Sequence, residues 1–260
     1  MHTIIRCSGV ALAIATASVA GAAFAAPAVA LVGDKTLVMF DTESLAVSGS
    51  MDVTGVDMLH GIDVRPADQM LYGVASDGSI VTIDTASGAA TAKSTLSQML
   101  PDGVGAIVDF NPVADRLRFM GTDGTNLRVN VDDGMVTVDG NLAYEAADMH
   151  AGEAPGIVAA AYTNSIGTPE ATAMYDIDAT VGSLVQQAPP NDGVLKSIGL
   201  LGIEGDIYAF DIAATEDLTN TAYLVAGTTL YTVALDSGAA TAVGEIAGLD
   251  GAVRDIAILP

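Results

Sequence analysis

The sequence has little that could support disulfide, thiolate or aromatic chemistry. Its 260 residues include one cysteine, Cys7, and no tryptophan. Cys7 lies in an amino-terminal stretch that we expect to be removed, so the mature chain gains nothing from disulfides or a catalytic thiolate. Aromatic residues make up 5% of the chain, so few side chains are available to form a cleft in which sugars stack on aromatic rings. Stability must come from apolar burial, for which about 230 residues are ample.

Basic residues are also scarce. The chain has 9 Lys plus Arg against 32 Asp plus Glu, a formal net charge of −23 at pH 7. Such a charge repels nucleic acid and anionic membranes, so we expect neither as a partner. The charge favours a well-solvated surface or bound cations, and Ca²⁺ is a possible one. The sequence indicates no other cofactor.

Long apolar runs are confined to the amino terminus. The first 26 residues contain Arg6, an Ala-rich apolar stretch from Val10 to Ala25, and small residues at its end. That is the layout of a secretory signal peptide. No other segment approaches the roughly 18 to 20 apolar residues that cross a bilayer. We therefore predict a signal peptide over 1–26, a single domain over 27–260, and a monomeric periplasmic or extracellular protein without membrane insertion.

One phrase recurs through the rest of the chain. It consists of an apolar strand, an Asp, a few turn residues that often end in Gly, and then small and β-branched residues. Its apolar strands align on Leu37, Ile80, Leu127, Leu184 and Leu230. Each Asp-to-Gly turn predicts a tight hairpin, because Asp bonds its own backbone and Gly supplies positive φ. Two further strands precede each hairpin, and four-stranded units at a spacing of about 40 to 50 residues are typical of propeller blades.

The two ends of the chain predict how the ring closes. We label the four strands of a unit A to D, in chain order. The first unit lacks strand A, since the mature chain opens directly into VALVGD from Val29, while RDIAILP from Arg254 is a spare strand A at the end. The sequence thus predicts an all-β, about five-bladed β-propeller closed by pairing the C-terminal strand with the first blade. A β-sandwich also has many short strands, but it does not predict a repeat with a permuted end.

A family resemblance supports this fold. The segment VDFNPVADRLRFMGTDGTNLRVNVDDG from Val108, with AAAYTNS from Ala159 and QQAPPNDGVLKSIG from Gln186, resembles an exported bacterial family known as domain of unknown function DUF4394. The resemblance covers nearly the whole mature chain. It implies an exported, propeller-like protein and supplies no activity.

The A strands carry the first group of candidate site residues. Their alignment places Asp63, Asp109, Asp211 and Asp255 at one equivalent position, with Ala161 in the remaining blade. Four acids at one level beside a central channel could bind Ca²⁺, which takes about six to eight oxygen ligands. The alternative is structural, with each carboxylate accepting hydrogen bonds from the neighbouring blade.

Arginines fall in or beside the same acid-bearing strands. They are Arg65, Arg116, Arg118, Arg128 and Arg254. In so acidic a chain, this placement predicts internal Arg–Asp pairs, because the planar guanidinium suits bidentate contact with carboxylates.

The connections from strand D to the next strand A carry the second group of candidate site residues. His60 and His150 are predicted there, and the longest connection, 141–156, also carries Tyr144, Glu145, Asp148 and Glu153. Two His plus carboxylates could ligate a transition metal or act as general acid and base. An exposed loop without function is the alternative. Because binding groups gather on loops of rigid scaffolds, we expect any ligand site on this face.

Three hypotheses for function follow. The first is a binding module for an extracellular protein, a glycan or a cation. The second is a hydrolase or lyase that acts on an extracellular polymer through carboxylates at the channel mouth. The third is a structural surface or matrix protein. The sequence contains no GxSxG, GxxxxGK or GxGxxG motif, so no known enzyme motif favours the second.

Overall fold

The computed structural model describes residues 26–205 and 207–260. The predicted signal peptide lies outside these residues except for Ala26. The described chain forms strands β1 to β21 and one short 3₁₀ turn, Pro190–Asp192. The strands are β1 (Pro27–Val32), β2 (Thr36–Asp41), β3 (Val47–Asp52), β4 (Leu59–Val64), β5 (Leu71–Ala75), β6 (Ser79–Ile83), β7 (Ala90–Thr95), β8 (Ala106–Asn111), β9 (Arg116–Gly121), β10 (Asn126–Val129), β11 (Val136–Val138), β12 (Ala143–Tyr144), β13 (Ile157–Tyr162), β14 (Met174–Asp178), β15 (Ser183–Gln187), β16 (Val194–Leu200), β17 (Tyr208–Ala214), β18 (Asn220–Ala226), β19 (Thr229–Val233), β20 (Ala240–Glu245) and β21 (Val253–Ile258).

These strands form five antiparallel blades of a β-propeller. Blades 2 to 5 follow chain order, as β4–β7, β8–β11, β13–β16 and β17–β20. Blade 1 has the order β21-β1-β2-β3, so the last strand of the chain supplies its innermost strand. The predicted fold and its closure are therefore confirmed. The sequence did not predict β12, a two-residue strand that adds to blade 4 by parallel pairing with β16.

The hairpins between strands C and D arise from local chemistry. In blade 2 the Asp84 carboxylate accepts the N–H groups of Ala86 and Ser87 at 2.8 and 3.0 Å. Gly88 closes the turn with φ 70°. A Cβ atom on Gly88 would also lie 2.8 Å from the carbonyl oxygen of Asp52 in blade 1, so this position requires glycine on two grounds.

The hydrophobic core is divided among the seams between blades. The five innermost strands contact one another in the cyclic order β4, β8, β13, β17, β21 and back to β4. Each of the five seams holds its own cluster of buried apolar side chains. The seam between blades 3 and 4 also buries the guanidinium of Arg118, which is 2% exposed. No helix of membrane-spanning length and hydropathy occurs in the described part of the chain.

Candidate functional site

The four predicted aspartates lie on innermost strands, and each reaches across a seam. Each carboxylate accepts a hydrogen bond from a backbone N–H of the next blade in the ring. The bonds are Phe110 N to Asp63 at 2.6 Å, Tyr162 N to Asp109 at 2.9 Å, Ile258 N to Asp211 at 2.6 Å and Ile62 N to Asp255 at 2.8 Å. The aspartates therefore join four of the five seams, as the structural interpretation of these residues requires.

Three of the four carboxylates lie close together. Asp63, Asp109 and Asp211 each offer one oxygen, and these oxygens all lie within 4.8 Å of one another. The three residues are buried, with exposed fractions of 7%, 3% and 6%. Within the described part of the chain, no Lys or Arg forms a salt bridge with any of them. We call these three residues the aspartate cluster.

Asp255 is not at the equivalent position, which corrects the sequence alignment. Asp63, Asp109 and Asp211 pair with Tyr72, Arg118 and Tyr223 of their neighbouring strands. In blade 1 the matching pair is Ala257 with Val29, and Asp255 instead pairs with Leu31. Asp255 therefore lies two residues earlier on its strand, on the same face but at a different level of the channel.

Burial and mutual repulsion dominate the electrostatics of the aspartate cluster. Burial raises the pKa of Asp63 and of Asp109 well above the usual value, and the nearby carboxylates raise both further. Burial also raises the pKa of Asp211, to about 6, although two backbone N–H groups favour its ionised form. Because each shift opposes ionisation, a bound cation would relieve the same penalty.

A cavity of about 630 Å³ opens beside the aspartate cluster. Asp63 and Asp211 contribute to its lining, with side chains of both apolar and hydroxyl type around them. These include Pro66, Ile166, Thr215, Thr219, Leu259 and Pro260. Volumes of about 300 to 1,000 Å³ are typical of small-molecule sites.

This cavity lies on the face opposite to the one that the sequence predicts for a ligand site. Its walls come from the connections of strand A to strand B in blades 2, 4 and 5, and from the two ends of the described chain. The connection over 163–173 is the longest of the three. The length of this connection was the one feature of the sequence that could have indicated a ligand site on this face, because long connections on a rigid scaffold often line binding sites.

His60 is not in a connection, contrary to the sequence prediction. It is the second residue of β4, where its ring packs 6.0 Å from that of Phe119. Burial and the nearby charge of Arg254 lower its pKa. His60 therefore belongs to the packing between blades 2 and 3.

The remaining predicted residues lie in the connection 139–156, where they stabilise the loop. His150 pairs with Glu153 at 3.0 Å and packs its ring on that of Tyr144. The Asp148 carboxylate accepts both the N–H and the hydroxyl of Ser197, and Glu145 donates its N–H to the carbonyl of Leu195. Each of these contacts fixes the loop to itself or to blade 4.

The Tyr144 hydroxyl serves the same structural purpose. It donates to the buried carboxylate of Asp178. Burial and, to a smaller extent, that bond raise the pKa of Tyr144. A phenol held in this way donates one hydrogen bond and is a poor proton shuttle near neutral pH.

The arginines form internal pairs in three of the five predicted cases. Arg65 pairs with Asp115 at 2.6 Å, and Arg118 and Arg128 both pair with Asp139 at 2.7 and 3.0 Å. Arg116 and Arg254 donate instead to backbone carbonyls. The paired acids, Asp115 and Asp139, lie in connections and not on the A strands.

The chain matches one known family and several solved structures. The family model described as Domain of unknown function (DUF4394) matches residues 36–257. No curated protein matches the chain. A protein of unknown function from Bacteroides thetaiotaomicron VPI-5482 is 18% identical, covers 93% of this chain and 66% of its own, and has a TM-score of 0.54.

Two further solved structures are more distant. A protein of unknown function from Bacteroides caccae is 11% identical, with 83% and 72% coverage and a TM-score of 0.44. An auxiliary nutrient binding protein from Bacteroides thetaiotaomicron VPI-5482 is 12% identical, with 75% and 56% coverage and a TM-score of 0.46. The likeness at a TM-score of 0.54 supports the fold alone. The family match spans most of the chain, so this propeller belongs to the DUF4394 family, as the segment from Val108 predicts.

Proposed function

We propose that this propeller is a binding module that holds a divalent cation at the aspartate cluster and a ligand in the cavity beside it. The observation that carries the proposal is the convergence of three buried carboxylates within 4.8 Å, with two of them lining a cavity of about 630 Å³. Buried carboxylates without a cationic side chain are costly, because burial and repulsion both oppose their ionisation.

The spacing of the three oxygens suits Ca²⁺. This ion binds oxygen at about 2.3 to 2.6 Å, so two oxygens on one ion are at most about 5 Å apart. Oxygens within 4.8 Å of one another meet that limit. Mg²⁺ binds oxygen at about 2.0 to 2.1 Å and demands closer, octahedral ligands.

The cavity provides room for the rest of the coordination sphere. Three carboxylates leave several of the roughly six to eight Ca²⁺ positions open. Those positions face a space lined in part by Thr215 and Thr219, where water or the hydroxyl groups of an extracellular glycan or protein would bind. The predicted signal peptide would direct the module to the periplasm or the medium. Extracellular Ca²⁺-binding modules typically have dissociation constants of about 10⁻⁴ to 10⁻³ M, and we expect a value in this range.

Calorimetric titration of chelator-treated protein with CaCl₂ tests the proposal. We expect saturable binding to the wild type and at least a tenfold loss of affinity in Asp63→Asn and in Asp109→Asn. Each change keeps the shape and one oxygen but removes a charged ligand. Asp255→Asn is the matched control, since Asp255 also bridges a seam from an innermost strand but lies outside the cluster.

The variants must melt cooperatively for this comparison to apply. Binding by Asp63→Asn and Asp109→Asn at the wild-type affinity would show that the aspartate cluster does not hold the ion. Absence of Ca²⁺ binding to the folded wild type would leave the cluster as a purely structural link between blades.

A further inference from the structure

A second group of buried oxygens lies away from the cavity, in the seam between blades 3 and 4. Asp176 of β14 is completely buried. Within the described residues, neither of its carboxylate oxygens has a hydrogen-bond partner, and the same is true of Ser183 Oγ and Gln187 Oε1 on the adjacent strand β15. Asp176 pairs with Val185, so Ser183 and Gln187 flank it at two residues to either side, on the same face.

The other blades have apolar or small residues at the positions of Asp176 and Gln187. By strand pairing, Asp176 corresponds to Ala30, Gly73, Phe119 and Leu224. Gln187 corresponds to Phe40, Ile83, Val129 and Val233, all of which are buried. The acid and the amide are therefore specific to blade 4 and are not required by the repeat.

Arg118 does not neutralise Asp176 by direct contact. Its charge lowers the pKa of Asp176, but burial acts more strongly in the opposite direction. All five N–H groups of the guanidinium are used elsewhere. They donate to Tyr162 Oη twice and to Asn126 Oδ1, Asp139 Oδ2 and Asn191 Oδ1 once each.

The orientation of Gln187 is also fixed. Its Nε2 donates to the carbonyl of Pro190 at 2.6 Å, and a carbonyl accepts only from the nitrogen end of an amide. Gln187 Oε1 is therefore an acceptor, like both oxygens of Asp176. A cation is the simplest occupant for a group of acceptors, because it satisfies them without needing an acceptor in return.

We propose that the seam between blades 3 and 4 binds a monovalent alkali cation, with the Asp176 carboxylate as its charged ligand and neutral oxygens of β15 beside it. The ion would be an internal structural ion of blade 4. Carboxylate, amide and hydroxyl oxygens are ligands for hard cations such as Na⁺.

The charge of the seam favours a monovalent over a divalent ion. Arg118 and Arg128 share the carboxylate of Asp139, which leaves one positive charge. Asp178, which also acts on Asp176, offsets that charge. One negative charge, on Asp176, then remains, and a single positive charge balances it.

Thermal unfolding in matched salts tests this proposal without any variant. We compare NaCl with N-methyl-D-glucamine chloride at equal ionic strength, after chelator treatment, because the large organic cation cannot enter a buried seam. We expect the wild type to melt at least about 3 °C higher in NaCl. Equal melting temperatures would mean that a protonated Asp176 with water fills the seam, and would overturn the proposal.

Two variants locate the effect. Asp176→Asn should lose the difference between the two salts, as should the double variant Asp176→Leu with Gln187→Val, which copies Leu224 and Val233 of blade 5. Asp63→Asn should retain it, which separates this seam from the aspartate cluster. A difference that persists in both Asp176 variants would place the ion elsewhere and contradict the assignment.

Discussion

Removal of residues 253–260 should abolish cooperative unfolding and cause aggregation. This deletion removes β21, the innermost strand of blade 1, and exposes the edge of β1 along its full length. It also takes Val253, Ile256 and Ala257 out of two seams. An unpaired, apolar inner edge in a ring is a template for pairing with other chains. Differential scanning calorimetry and light scattering would measure both effects.

A synthetic peptide of residues 252–260 provides the control for this truncation. The peptide can re-form the pairs between Ala28 and Ile258 and between Ala30 and Ile256, so its addition should restore a cooperative transition. A truncated protein that melts like the full chain would contradict closure through β21.

Arg118→Ala should destabilise the fold by about 3 to 5 kcal/mol, the range for breaking a buried ion pair by removing one partner. The side chain is 2% exposed and bonds four residues that come from both sides of a seam. Its loss leaves the buried oxygens of Asn126 and Tyr162 without this donor. Urea unfolding, monitored by circular dichroism, would measure the change in the free energy of unfolding, and the m-value should stay constant.

Arg116→Ala is the matched control, two residues earlier on the same strand. Among the residues that the structure describes, Arg116 donates only to the carbonyls of Ala114 and Asp115, so its loss should cost no more than about 0.5 kcal/mol. Arg118→Lys should recover little, because an ammonium group cannot reproduce a five-donor fork. A loss below about 1 kcal/mol for Arg118→Ala would show that water replaces the guanidinium at no great cost.

The fold was predictable because its signals are local. In blades 2 and 3 the hairpin between strands C and D is specified by a side-chain acceptor, Asp84 or Asn130, and a Gly four residues later. A repeated hairpin specifies a repeated blade. The alignment failed by one residue in blade 3, where Asn126 rather than Leu127 matches Leu37 and Ile80. The alignment chose Leu127 because the other repeats have Leu or Ile at this position. A shift of one residue in the alignment places the side chain on the opposite face of the strand.

The candidate site was only partly predictable. Asp63, Asp109 and Asp211 could be found because they recur at one position of the repeat. Asp255 was grouped with them wrongly, since its level depends on how β21 pairs with β1. Asp176 gave no signal, because an acid in a strand is unusual only once its burial is known. The cavity depends on how three connections meet in space, which spacing along the chain does not reveal.

The position of the chain end has a practical consequence for protein production. Leu259 donates its N–H to the carbonyl of Pro27, and both Leu259 and Pro260 line the cavity. An affinity tag fused after Pro260 would therefore begin at the mouth of the cavity. A polyhistidine tag in that place would bring imidazoles and any bound nickel close to Asp63 and Asp211. Tags inserted at the exposed Gly103 turn, on the opposite face, would leave the entrance clear.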